Sequence, residues 1–275
     1  MNCIVESCAG PIAAFFDLDG TLIPSPSLEW RFASYLLARG EISHSNLARW
    51  LLRFLKNRLR APWGLARANK SYLTGLHPSL VDDWERSLEP RAVQFASLPM
   101  FAACARRIRS HLAARHAVVF VSGTLDEFAR VVARRFASDY ERSLLVDVTA
   151  SQIEICATRL ESLGGHWTGF LAGDHMSGEA KACAVRELAA RRGFDLPRSF
   201  AYGDEIADLP MLASVGHPVV VNPSSRLARC ARQRGWPTCE WRALEASTFA
   251  HASPPAVAPH FRSSDSSILS PRPTL

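Results

Sequence analysis

Ile12-Ala13-Ala14-Phe15-Phe16-Asp17-Leu18-Asp19-Gly20-Thr21 is the stretch on which the reading of this chain turns. Ile12 to Phe16 is an unbroken apolar run with Pro11 before it and Gly20 soon after, and its length suits a buried strand. Two aspartates, Asp17 and Asp19, stand directly past its end.

Downstream the pattern repeats. Ala117 to Val121 is a second, valine-rich run that ends in Ser122-Gly123-Thr124, and a helical pattern follows from Leu125 to Phe136. Residues 144–172 read as β structure, with Ile153 and Ile155 alternating with polar neighbours and Gly164-Gly165 as a hairpin turn. Glu179 to Arg192 reads as a helix closed by Gly193. Ser199 to Tyr202 leads into Gly203-Asp204, followed by a short helix from Ile206 to Ala213, a strand at Val219–Val221 and a helix at Arg226–Arg234. Strands alternating with helices from residue 99 to about 240 predict parallel βαβ units: an α/β protein with a Rossmann-like open parallel sheet. Residues 24–95 break that alternation with helical patterns alone. They read as an insert over the carboxyl ends of the strands, where such sheets bind ligands. The expected organisation is a core of 11–23 and 96–245, a helical cap of 24–95, and a disordered tail of 246–275.

Composition excludes several classes. Of 275 residues, 48% are hydrophobic and 21% charged, which rules out a wholly disordered chain. No stretch is long and apolar enough for a transmembrane helix, and MNCIVESCAGPIAAFF lacks the basic start of a secretory signal. Seven scattered cysteines without a CxxC pair argue against a disulfide framework and a zinc ribbon, and predict small buried hydrophobes in a cytoplasmic protein. Between Pro24 and Phe95 there are 11 lysines and arginines against 6 acids, most of the net +6. No groove-reading motif accompanies this charge, so nucleic acid is not expected as a partner. From Ser247 onward 7 serines and 5 prolines occur in 29 residues, which predicts the disordered tail.

Three polar clusters each follow a strand: Asp17 with Asp19, Ser122 with Gly123, and Asp204 with Asp208. Lys181 opens a helix between the last two. All strands of a parallel sheet end on one edge, so these groups can converge there. Carboxylates gathered that closely repel one another unless a cation neutralises them, and oxygen donors beside phosphate suit Mg²⁺. One carboxylate can then act as a nucleophile and a second, two residues on, as general acid and base. Ser122 and Lys181 would supply a donor and a positive charge for phosphoryl oxygens. Singly, each residue has an ordinary explanation: Asp-Gly as a turn, Ser122 as the N-cap of the next helix, Asp208 as an acid in a first helical turn, Lys181 as a solvated lysine. Only the combination points to chemistry. His166, His175 and His217 lack a ligand pattern and read as structural.

DLDGT at 17–21, VSG at 121–123, Lys181, and GDEIADLPML at 203–212 together resemble the four motifs of the haloacid dehalogenase-like superfamily, and more narrowly its phosphoserine-phosphatase-like branch. The stretch GHPVVVNPSSRLARCARQRGWP at 216–237 is similar to that branch too, so the resemblance covers about residues 11–240. It implies a phosphatase with Asp17 as nucleophile and Asp19 as acid/base. Asp17, the Asp19 backbone carbonyl and Asp204 would hold Mg²⁺, with Asp208 behind them. Ser122, the Gly123 backbone and Lys181 would bind the phosphoryl group. An acid at position 19 favours phosphate chemistry over carbon–halogen cleavage. Phosphoserine phosphatases place an amine-binding glutamate seven residues after the second aspartate, which here is Pro26, with Glu29 out of register. The implied substrate is therefore a small organic or lipid-like phosphomonoester. Phosphatidylglycerophosphate, phosphoserine and transfer to another alcohol are the alternatives, and a binding module that has lost catalysis is disfavoured because every catalytic position is filled.

One segment remains. Asn46 to Arg60 carries Leu47, Trp50, Leu51, Phe54, Leu55 and Leu59 at helical spacing beside Arg49, Arg53, Lys56, Arg58 and Arg60. Such a helix either buries its apolar stripe within the cap or touches an anionic membrane, which would put the protein at the inner membrane face.

Overall fold

The computed structural model describes residues 10–60, 68–88, 98–144 and 152–242. The first apolar run forms β1 (Ala13–Phe16), followed along the chain by β2 (Ala117–Leu125), β3 (Ile153–Thr158), β4 (Leu160–Leu163), β5 (His166–Leu171), β6 (Phe200–Gly203), β7 (His217–Val221) and β8 (Thr238–Cys239). Six of them form one sheet in the order β3-β2-β1-β6-β7-β8, all parallel, as the Rossmann-like reading expects. β1 is central: Ala14 lies opposite Val118 on one side and Phe200 on the other. The chain builds outward from β1 in one direction and then in the other. Such a reversal leaves a crevice at the carboxyl ends of the strands.

Successive strand residues point to opposite faces, so each strand feeds two cores. Phe16, Val118, Phe120 and Tyr202 join one, together with Cys104 and Ile108 of α4 (Ala102–Ala113) and Phe128 and Val132 of α5 (Asp126–Leu144). Phe15, Val119, Val121, Ala201 and Val220 join the other. There they meet Val185 and Leu188 of α6 (Glu179–Arg192), Met211 of α7 (Leu209–Leu212) and Leu227 of α8 (Ser225–Arg234).

Before β2 come α1 (Leu28–Ala38), α2 (His44–Arg60), a 3-10 turn at Ser71–Leu73 and α3 (Leu80–Ser87). Ser27 caps α1 by accepting from the Trp30 amide, and Leu28, Phe32 and Leu36 recur every fourth residue on its buried side. Phe32 meets Trp84 of α3, Phe128 of α5 and Trp167 of β5, so this helical segment shares a core with the sheet layer. The β4–β5 hairpin turns at Gly164 and Gly165, both at positive φ as such a tight turn requires. It hydrogen-bonds to the helical segment: the Gly75 amide donates to Trp167 and the Trp167 amide to Leu76.

Several local expectations need correction. β2 runs on to Leu125 through an irregularity in its pairing with β3, so Ser122 lies inside a strand and is no helix N-cap; its hydroxyl accepts from the Thr124 amide instead. α5 starts at Asp126 and extends beyond Phe136. Of the expected β region 144–172, the described part holds β3, β4 and β5, and residues 145–151 lie outside the described residues; β8 carries too few residues for a periodic signal. Cys104 is buried as expected, but Cys183 is exposed on α6, and Cys156, Cys230 and Cys239 are half-buried. The apolar stripe of α2 is divided. Asn46 is buried and Trp50 and Phe54 are half-buried, whereas Leu47, Leu51, Leu52 and Leu55 face outward. The segments 1–9, 61–67, 89–97, 145–151 and 243–275, the last with the expected tail of 246–275 and the end of the expected core, lie outside the described residues.

Candidate active site

Asp17 is the first residue past β1, and its amide still pairs with Tyr202 of β6, so the sheet itself fixes where its side chain emerges. Asp204 holds the equivalent position past β6. Lys181, in the first turn of α6, is buried and donates from Nζ to Asp17 Oδ1 at 2.6 Å and to Asp208 Oδ1 at 2.5 Å. Asp208 Oδ2 accepts from the Asp204 and Glu205 amides at 3.1 and 3.0 Å. Asp208 thereby ties Lys181 to the turn that presents Asp204. Thr21 Oγ1 donates to Asp204 Oδ1 at 3.0 Å. Gly20 makes this approach possible: it has φ +91°, and a Cβ there would lie 2.1 Å from Asp204 Oδ2.

Asp19 is held by a different element. Its Oδ1 accepts from the Leu28 amide at 2.7 Å, at the first turn of α1. The acid of the second motif position is thus held by the helical segment rather than by the sheet. Ser122 is buried on β2, and Gly123 lies against the His175 ring, 3.3 Å from where a Cβ would stand. Thr158 Oγ1 donates to the Gly123 carbonyl and accepts from the Met176 amide.

One oxygen from each of Asp17, Asp204 and Asp208 lies within 4.8 Å of the others. The Asp19 carboxylate is not in this group, so of the expected ligands it could join only through its main chain. Burial raises the Asp17 carboxyl to about 7, with Asp208 adding to the effect and Lys181 opposing it. Burial, then Asp17 and Asp208, raise Asp204 to about 9. Burial raises Asp19 to about 6 against the stabilising Leu28 N–H. Burial alone would lower Lys181, but Asp17 and Asp208 outweigh it and hold the ammonium above the ordinary lysine value. Three carboxylates against one ammonium leave an excess of negative charge among oxygen-only donors. Such a set fits a hard divalent cation such as Mg²⁺.

Of the residues singled out from the sequence, Asp17, Lys181, Asp204 and Asp208 therefore meet in one bonded cluster, while the Asp19 carboxylate is bonded to the Leu28 amide and Ser122 and Gly123 stand on β2. The sequence reading gave no role to Thr21, which bonds to Asp204, or to Thr158, which bonds to the Gly123 carbonyl, and it read His175 as structural, where its ring lies against Gly123. It also missed a polar group under α1. Lys70 is buried and bonded to Glu29, whose other oxygen accepts from Tyr72 OH at 3.1 Å. Glu29 and Lys70 both lie within electrostatic reach of Asp19. Lys70 sits 41 residues from Glu29 in the chain, and no spacing rule links them.

Comparison with known proteins gives a consistent picture. The family model described as haloacid dehalogenase-like hydrolase matches residues 14–213. A probable phosphatase of Mycobacterium tuberculosis is 34% identical over 230 residues, covering 82% of this chain and 74% of that protein. A phosphoserine phosphatase of the same organism is 30% identical over 233 residues, covering 84% and 71%. A crystal structure of a Bordetella pertussis protein of unknown function shares the fold, with a TM-score of 0.63 at 24% identity over 84% of this chain and 98% of that one.

Proposed function

The chain belongs to the haloacid dehalogenase-like hydrolases, and from that premise we propose that it is a Mg²⁺-dependent phosphomonoester hydrolase working through a phosphoryl group carried on Asp17. The observation that supports this best is the buried Asp17–Lys181–Asp208 chain beside Asp204, with Asp19 two residues from Asp17 and held separately. Lys181 keeps Asp17 positioned and opposes its protonation, so a nucleophilic oxygen is available near neutral pH. Asp17 attacks phosphorus, the bond to the ester oxygen breaks, and Asp19 gives its proton to the departing alcohol. Asp19, with Oδ1 occupied by the Leu28 amide, carries that proton on Oδ2. It then takes a proton from the water that attacks phosphorus, which releases inorganic phosphate and restores Asp17. Ser122, the Gly123 backbone and Lys181 hold the phosphoryl oxygens. Asp17, the Asp19 carbonyl and Asp204 would hold Mg²⁺, with Asp208 behind them. The ion, when bound, supplies charge neutralisation between carboxylates and phosphate dianion.

In this reading the helices of 24–95 act as a cap over the core of 11–23 and 96–245. The substrate is a small organic phosphomonoester whose alcohol reaches toward Glu29, Lys70 and Tyr72, a bonded polar group of which Glu29 and Lys70 lie within electrostatic reach of Asp19. Phosphoserine, the substrate in the name of one relative, is a second reading. Glu29 favours it, since it brings a carboxylate near Asp19 although it is three positions out of register. The test is hydrolysis of an aryl phosphate, phosphoserine and phosphatidylglycerophosphate with Mg²⁺ and with excess chelator, with mass mapping of trapped phosphoryl groups. Mg²⁺-dependent turnover with phosphate on Asp17 is expected. Equal turnover in chelator, or phosphate on another residue, would overturn the proposal.

A further inference from the structure

We propose that α2 is a membrane-surface helix that docks the protein on anionic lipid through its outward leucine face. The observation is the division of its apolar stripe. Trp50 and Phe54 stack on each other, half-buried, and Asn46 is tied by its amide to the Tyr72 and Thr74 carbonyls, so this side anchors the helix to the protein. Leu47, Leu51, Leu52 and Leu55 are 39, 50, 68 and 50% exposed, with Leu47 next to Phe54 around the helix and Leu52 farthest from the anchor. Leu47, Leu51 and Leu55 recur every four residues, and with Leu52 they span an arc of roughly 140° at about 100° per residue. A solvated helix normally shows polar residues on such a face, and a contiguous exposed apolar stripe marks an interaction surface.

The charge on α2 selects the occupant. The helix sequence, HSNLARWLLRFLKNRLR, has no Asp or Glu, and Arg49 and Lys56 are exposed along one border of the leucine arc. Leucines at the centre with arginine and lysine at the margin match an interface of acyl chains below anionic headgroups. A second copy of the chain fits poorly, because apposing two such helices brings like charges together around the leucines. Among the described residues no helix is long and apolar enough to cross a membrane, so the contact is one that lies on the surface. The inference is independent of the catalytic assignment, since none of these side chains belongs to the strand-end site.

The test is co-sedimentation of the full chain with vesicles of phosphatidylcholine alone and with about 30 mol% phosphatidylglycerol, at low and high salt. Size-exclusion chromatography and aryl phosphate hydrolysis serve as controls. Wild-type protein should bind the anionic vesicles, bind neutral ones weakly, and lose binding with salt. Leu51→Ser/Leu52→Ser/Leu55→Ser should lower the partition coefficient about tenfold or more, with aryl phosphatase activity unchanged to certify the fold. Arg49→Gln/Lys56→Gln should weaken anionic binding and flatten its salt dependence. Three results would each overturn the proposal: wild-type protein that ignores anionic vesicles, a leucine variant that binds as wild type does, or a wild-type oligomer that the leucine variant dissociates. The last would assign the face to self-association. If the leucine triple variant loses activity, Leu52→Ser alone decides by the same vesicle measurement.

Discussion

The carboxyl end of the sheet and helix α2 treat their side chains in opposite ways. At the carboxyl end of the sheet, charged groups are buried and tied to one another: Lys181 holds Asp17 and Asp208, the Asp204 and Glu205 amides hold Asp208, and Thr21 holds Asp204. On α2, leucines stand in solvent while the polar Asn46 is buried. Each arrangement runs against the ordinary preference for apolar groups inside and charges outside. Such inversions mark places where something other than folding sets the residue choice. The inversion in the site carries a large electrostatic cost that its partners offset. The inversion on α2 costs the isolated chain little, because an exposed leucine forgoes burial without breaking a contact.

That contrast can be tested in order of expected effect. Asp17→Asn should lower kcat roughly 10³-fold or more while leaving the protein folded, because an amide keeps the shape but is a poor nucleophile. Wild-type turnover in this variant would separate the buried cluster from the chemistry.

Lys181→Met should destabilise the metal-free protein by about 3–5 kcal/mol at pH 8, since it leaves buried carboxylates without their counter-ion. The loss should shrink on acidification as those groups take up protons. Urea unfolding at two pH values measures this, and an equal loss at both would mean that packing, not charge, is what Lys181 provides.

The third effect is pH dependence without metal. Asp17 and Asp204 are raised from 3.8 to about 7 and about 9, so between the unfolded and folded values the native state binds protons that the unfolded chain has released. Unfolding then releases protons, and stability falls as pH rises through that window. His111 acts in the opposite sense, being lowered from 6.5 to about 3 by burial, but only below pH 6.5. From pH 6.5 to 9 the aspartates stand out, with a loss on the order of 4 kcal/mol. Excess Mg²⁺ should remove most of the slope, because a cation replaces the proton. Melting temperatures with Mg²⁺ and with chelator across this range give the answer, and parallel curves would count against metal binding at the cluster.

The smallest effect is expected on α2. Leu52→Ser should change stability by less than about 0.5 kcal/mol, as for other surface positions. A loss several times larger would show that the leucine face packs against something within the chain.

The sheet was legible because buried strands and the helices between them leave unbroken apolar runs and a 3.6-residue period. Asp17 and Asp204 were legible because each stands directly past such a run, and Lys181 because it opens a helix between two strand-end clusters at the spacing of the resembled family. β8 was not, since two residues hold no period; neither was the pairing of the β4–β5 hairpin with residues 75 and 76, which depends on backbone groups any sequence possesses. Glu29 with Lys70, Thr158 with Gly123, and His175 beside Gly123 are contacts between distant segments, and nothing in their local sequence distinguishes them from surface residues.

By itself, then, the sequence determined the parallel α/β core, the order of its strand-end motifs and the residue types able to handle a phosphate ester, because these follow from local periodicity and from the common edge of a parallel sheet. Only the tertiary structure decided that Asp19 turns to the first helix of the inserted segment, that Asp208 shares Lys181 with Asp17, and that α2 holds its aromatic rings inward and its leucines outward. A helical period fixes which residues share a face. Which face is covered depends on what the rest of the chain brings against it.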